Sequence, residues 1–118
     1  MEIDFKEISP RERYKLLSST VIPRPIALVS STGSNGVDNA APYSFFNVFS
    51  EDPPLLILGL QNKEDGSSKD TARNIMDTGE FVVNLIDRQM AEAMNNCAVD
   101  FPPAVSYTHL RAHETATY

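Results

Sequence analysis

Three short stretches hold side chains that could do chemistry. In Pro42-Tyr43-Ser44-Phe45-Phe46-Asn47, three aromatics stand beside a hydroxyl and a carboxamide. Aromatic faces can hold a flat ring while Ser44 and Asn47 hydrogen-bond its polar edge. A hydrophobic turn packed into a core is the plainer reading of the same residues. The second stretch is Ser67-Ser68-Lys69-Asp70-Thr71, at the start of a helical pattern. A helix N-terminus offers unsatisfied N–H groups and a positive dipole end, so hydroxyls and a lysine beside it could cradle a phosphate. Simple capping by Ser68 or Asp70 is the alternative, and the Asp70 carboxylate would repel a phosphate unless it capped the helix or paired with a base. The third is Asn84, the polar intruder in Phe81-Val82-Val83-Asn84-Leu85-Ile86. A buried asparagine must spend its amide on backbone or on a ligand.

The elements that would position these groups can be taken in order. Ser9, Pro10 and Glu12 have the order of a capped helix start, and Tyr14 and Leu17 form a short apolar stripe that would cover one end of a sheet. The prolines of Val21-Ile22-Pro23-Arg24-Pro25 force extended backbone into a strand at Ile26-Ala27-Leu28-Val29. Asn35-Gly36 then predicts a tight primed hairpin turn with positive φ at both residues. Phe49 to Pro54 reads as a turn. Leu55 to Leu60 reads as a strand buried on both faces, around which the sheet would close. Asp70 to Gly79 predicts a helix with Ala72, Ile75 and Met76 inward and Gly79 as its stop. Asp87 to Cys97 predicts another, with Met90, Ala93, Met94 and Cys97 on one core-facing stripe.

Composition bounds the answer. The chain has 118 residues, enough for at most one domain with a modest core, and its 42% hydrophobic and 22% charged residues are ordinary for a soluble protein. A net charge of −6 repels nucleic acid and anionic membrane, so any anionic ligand needs local cations, for which Arg24, Lys69 and Arg73 are the candidates. No apolar run is long enough to span a bilayer, and the N-terminus lacks the order of a signal peptide, which makes the cytoplasm the default address. The single cysteine, Cys97, has no disulfide or zinc partner and reads as a buried or idle thiol. His109 and His113, four apart and followed by Glu114, could share a helix face, but no metal site is assigned to them. There is no acid–base pair or nucleophilic triad.

Taken together, Arg24 to Asn47, Lys69-Asp70-Thr71-Ala72-Arg73-Asn74-Ile75 and Thr78-Gly79-Glu80-Phe81-Val82-Val83-Asn84-Leu85 resemble the flavin reductase-like, FMN-binding split-barrel family. The resemblance covers roughly residues 8 to 104. It implies a β-rich α+β fold with peripheral helices, a split β-barrel of Greek-key type. Members are usually nearly twice as long, so residues 1–104 read as the N-terminal portion of such a domain, truncated. From about Val105 the chain resembles translated sequencing adapter, and residues 105–118 are assigned no function. The resemblance further implies non-covalent FMN, NAD(P)H as reductant, a homodimeric parent and an electron-accepting partner or acceptor. Tyr43, Ser44, Phe45, Phe46 and Asn47 would contact the isoalloxazine and ribityl chain. Thr32, Lys69 and Thr71 would serve the phosphate end, and Asn84 is a further cofactor-binding candidate. A flavin oxidoreductase follows, because flavin carries the chemistry and the protein supplies position and electrostatics. A non-enzymatic FMN electron carrier and an inert fragment are the alternatives.

Overall fold

The computed structural model describes residues 1–98. The expectations for Asp100 to Pro103, for the segment from Val105 and for His109 and His113 lie outside the described residues. Helix α1 (Pro10–Thr20) starts as its sequence requires. The Ser9 amide donates to Glu12 Oε2 at 2.7 Å while the Glu12 amide donates to Ser9 Oγ at 3.2 Å, a reciprocal capping box with Pro10 in the first turn. The helix buries none of its residues, and Tyr14 and Leu17 are exposed, so the expected cover over one end of a sheet is reduced to the contact of Tyr14 with Phe45.

Strands β1 (Ala27–Thr32) and β2 (Asp38–Tyr43) form an antiparallel hairpin in continuous register from Ala27 opposite Tyr43 to Thr32 opposite Asp38. The turn differs from the primed turn predicted. The Gly36 amide donates to the Gly33 carbonyl and the Gly33 amide to the Val37 carbonyl, each at 2.9 Å. Only Gly36 takes a positive φ, +80°. Asn35 keeps an ordinary backbone because its Oδ1 accepts from the Val37 amide two residues on, a local bond that competes with the left-handed conformation.

Strands β3 (Phe46–Glu51) and β4 (Pro54–Leu58) make a separate two-stranded sheet with a bulge between Val48 and Ser50. Two expectations are corrected here. Phe49 to Glu51 continue a strand, so the turn narrows to Asp52-Pro53. Among the described residues β4 pairs with β3 alone, and Leu55, Leu56 and Ile57 are exposed instead of buried on both faces, with Leu56 51% accessible. The sheet does not close around β4 among the described residues, because no second layer there covers its outer face.

Helix α2 (Asp70–Thr78) ends at Gly79 in the left-handed conformation, and β5 (Val82–Leu85) returns to pair with β1, giving the order β2-β1-β5. A 3-10 turn (Arg88–Met90), capped by Asp87, leads into α3 (Ala91–Asn96). Side chains of β1 and its neighbours alternate between two faces, as strand geometry requires. Leu28 and Ala40 pack on Cys97, Met94 and Ile86 beneath α3, so the predicted methionine and cysteine stripe is core and Cys97 is buried. On the opposite face Ala27, Val29 and Tyr43 pack against Phe46, Leu58, Leu60 and Val83.

Candidate functional site

The aromatic stretch is less a loop than a tight corner. Pro42 and Tyr43 end β2, Phe46 and Asn47 open β3, and only Ser44 and Phe45 lie between them. The corner is held from three sides. The Gly59 amide donates to the Phe45 carbonyl at 2.7 Å, and a Cβ at Gly59 would meet the Phe45 Cβ at 2.8 Å, so only glycine lets the end of β4 come this close. Tyr14 of α1 lies against Phe45 with ring centroids 5.8 Å apart. Arg24 places its guanidinium 5.5 Å from the Phe45 ring centre and donates from Nε to Ser44 Oγ at 3.3 Å.

The start of α2 faces this corner. Lys69 is the N-cap residue but makes no side-chain capping bond, and its Nζ stands 5.8 Å from the Tyr43 ring centre. Neither Ser68 nor Asp70 caps the helix. The Asp70 carboxylate instead pairs with Arg73, the pairing with a base that would offset its repulsion of a phosphate. The first-turn N–H groups therefore have no side-chain cap, and Lys69 makes no ion pair among the described residues. Tyr43, Ser44, Phe45 and Lys69 together line one cleft of about 140 Å³, joined by Tyr14, Pro42, Gly59 and Gln61.

Other candidate residues are placed elsewhere. Thr71 is 1% exposed, and its hydroxyl accepts from Asn39 Nδ2 at 2.9 Å. Its side chain is a strut between α2 and β2 and does not face the cleft. One turn on, Asn74 Nδ2 donates to Ser31 Oγ at 3.1 Å. This polar seam corrects the inward face predicted for α2. The strand residues beneath it are Ser31 and Asn39, so hydrogen-bonding groups turn inward, Ala72 and Ile75 sit at the margin, and Met76 is 84% exposed. Thr32 lies at the far end of β1, five residues or roughly 16 Å from the level of Tyr43. Its hydroxyl donates to Asp38 Oδ1 at 2.8 Å, and it lines a different groove, of about 550 Å³, with Thr78, Glu80 and Phe81. That groove is larger, but its lining carries Glu80 and no cation, which makes it the poorer host for a phosphate. Asn84 donates to the Leu28 carbonyl at 3.0 Å and to Ser30 Oγ at 3.1 Å, spending its amide on the sheet. Phe46 packs into the core beside Tyr43, and Asn47 is exposed, its Oδ1 accepting from the Val48 amide.

Of the three candidate cations, Arg73 is paired with Asp70 and Arg24 is engaged with α1 and Ser44, so Lys69 alone remains to meet an anion at the cleft. Sequence reasoning missed Tyr14 and Gly59. Gly59, interrupting the apolar run Leu55 to Leu60, was the available signal for the second; for the first it was the apolar stripe of Tyr14 and Leu17, read only as cover for a sheet.

A cleft that joins aromatic faces to an open helix start and a lysine is what a phosphorylated planar cofactor needs. In comparison with known proteins, the flavin reductase like domain matches residues 18–117. The chain belongs to that family. The match runs into the segment from residue 105. Among solved structures, nitrilotriacetate monooxygenase component B from Bacillus cereus superposes with a TM-score of 0.86 at 41% identity, over 95% of this chain and 55% of that one. The 2-nitrobenzoate 2-nitroreductase of Pseudomonas fluorescens gives 0.74 at 42% identity, over 86% and 48%. A protein from Shewanella frigidimarina, described as a flavin reductase with a split barrel domain, gives 0.70 at 18% identity, over 90% and 52%, a likeness of fold alone. An uncharacterized Bacillus subtilis protein is 50% identical over 82% of this chain and 47% of its own length, and one from Halalkalibacterium halodurans is 45% identical over 90% and 51%. The fold is therefore that of the split-barrel flavin reductases. The chain spans about half the length of the curated relatives it matches.

Proposed function

We propose that this chain is the flavin-holding portion of an FMN-dependent, NAD(P)H-oxidising reductase. The carrying observation is the convergence of Tyr43, Ser44 and Phe45 with Lys69 and the uncapped start of α2 in one cleft. Family membership and the likeness to a monooxygenase component and a nitroreductase support the same reading. In it, Lys69 and the first-turn N–H groups hold the phosphate, and the Tyr43 and Phe45 rings with Ser44 orient the flavin. When bound, FMN supplies the redox chemistry, accepting hydride from NAD(P)H and passing electrons to an acceptor. This chain's residues contribute position and charge. Thr71 supports the cradle through its place beneath the helix, and Asn84 and Thr32 support the sheet.

A volume of about 140 Å³ falls below the roughly 300–1,000 Å³ of pockets that enclose a whole ligand. The cleft accordingly takes one part of the cofactor, and other groups complete the site in a protein of the relatives' length. A homodimer, a cytoplasmic setting and an electron-accepting partner belong to the same proposal. Among the described residues no helix is long and apolar enough to cross a membrane.

The test is a fluorescence titration of chain 1–118 with FMN and with riboflavin. FMN should bind more tightly, and Lys69→Ala should weaken FMN about tenfold, the effect of losing one charge-assisted contact, while leaving riboflavin unchanged. Equal affinity for both ligands would remove Lys69 and α2 from the phosphate site. Bleaching of bound FMN by NADH or NADPH without oxygen separates a reductase from a plain electron carrier.

A further inference from the structure

Arg24 is half-buried and makes more specific contacts than any other cation among the described residues, yet the phosphate reading gives it nothing to do. Its Nη1 donates to the Ser18 carbonyl at 2.6 Å and the Val21 carbonyl at 2.9 Å, satisfying acceptors that the end of α1 would otherwise leave open. Its Nε donates to Ser44 Oγ at 3.3 Å, and its guanidinium lies over Phe45. One planar fork thus ties the C-terminus of a helix that buries none of its own residues to the corner that lines the cleft.

The contact also decides what Ser44 can do. A hydroxyl carries one hydrogen and two acceptor positions. With Arg24 donating into Ser44 Oγ, the hydroxyl hydrogen is directed away from the guanidinium, and Ser44 opens onto the cleft beside Tyr43 and Lys69. We propose that Arg24 is a positioning residue that fixes Ser44 as a hydrogen-bond donor toward the cleft and latches α1, with Tyr14, against Phe45. This rests on the flavin reading above, because the acceptor it calls for is a carbonyl or ring nitrogen at the polar edge of a flat heterocycle. Arg24 acts through Ser44 and Phe45 and has no contact with the ligand's phosphate.

The experiment has two arms on chain 1–118. Without ligand, hydrogen exchange of α1 amides is compared in the parent, Arg24→Ala and Arg24→Lys; faster exchange across α1 in Arg24→Ala, with the β1 amides unchanged, is the expected result. Unchanged α1 exchange overturns the latch. With FMN, Arg24→Ala and Ser44→Ala should each weaken binding roughly five- to tenfold, and the double variant should be no weaker than either alone, since both remove the same oriented donor. Additive losses overturn the coupling. Arg24→Lys tests charge against geometry: an ammonium cannot reproduce the fork, so affinity should stay near that of Arg24→Ala, and full recovery would return Arg24 to the role of a mere positive charge. If the parent chain binds no FMN, the flavin reading falls and the donor assignment with it, while the exchange arm still decides the latch.

Discussion

Single side chains separate the groups that hold structure from those left over for a ligand. Thr71 and Lys69 stand two positions apart in one motif, and the tertiary structure gives them opposite duties. Thr71 is buried and accepts from Asn39, so Thr71→Val leaves the Asn39 amide without its partner. An unsatisfied buried donor costs about 1–3 kcal/mol, and a drop of that size in the free energy of urea unfolding is expected. FMN affinity per folded molecule should change less than in Lys69→Ala. If Thr71→Val keeps full stability but abolishes FMN binding, its hydroxyl belongs to the phosphate and the strut is incidental. The Lys69-Asp70-Thr71 order was readable in the sequence. Which hydroxyl faces inward was not, because that depends on Asn39, thirty-two residues away.

At the scale of elements, α1 is the one whose sequence signals are most fully met. Its capping box is local chemistry, closed between Ser9 and Glu12. The hydrogen bonds from Ser9, its backbone amide first and its hydroxyl second, hold the Glu12 carboxyl below its ordinary range. A carboxyl lowered on folding contributes stability that is present above its unfolded value and is lost as pH falls through the folded one. Acidification below the ordinary carboxylate range should therefore fray the first turn of α1, followed by the Glu12 amide resonance and its exchange rate. In Glu12→Gln that step should vanish; an identical acid response in the variant would place its origin elsewhere. Helix α2 shows the reverse case. Its boundaries and Gly79 stop were legible, and its inward face was not, since apolar periodicity points to Ile75 and Met76 while the strands beneath present Ser31 and Asn39.

For the molecule as a whole, the uncovered apolar surface of the β3–β4 sheet matters most. Val48, Phe49, Leu55, Leu56 and Ile57 are all exposed, and Leu85 on β5 is 73% accessible. Burying such a side chain fully is worth roughly 1.5–3 kcal/mol, so this surface favours self-association of chain 1–118. Replacing Phe49 and Leu56 together by serine should lower the binding of an apolar-surface dye several-fold and shift sedimentation toward monomer. Monomer stability should move by no more than about 1 kcal/mol, as for other exposed substitutions. A loss of several kcal/mol would mean that these residues are covered in solution. The run Leu55 to Leu60 was read correctly as a strand as far as Leu58, where β4 ends before Gly59 and Leu60, and its burial was not, because burial belongs to the partner layer as much as to the strand.

The sequence by itself determined what short-range chemistry controls: the capped start of α1, the hairpin at Gly33 to Gly36, the glycine stop of α2, the core stripe of Met90, Met94 and Cys97, and the motifs that mark the family. These depend on bonds within a few residues or on one periodic face. Only the tertiary structure decided that Tyr43, Ser44, Phe45 and Lys69 share a cleft while Thr32 and Asn84 stand apart, and that Arg24 joins α1 to Ser44. Those outcomes are set by strand register and by which face each side chain meets, and a strand's two-residue alternation sends neighbours in sequence to opposite sides of the sheet.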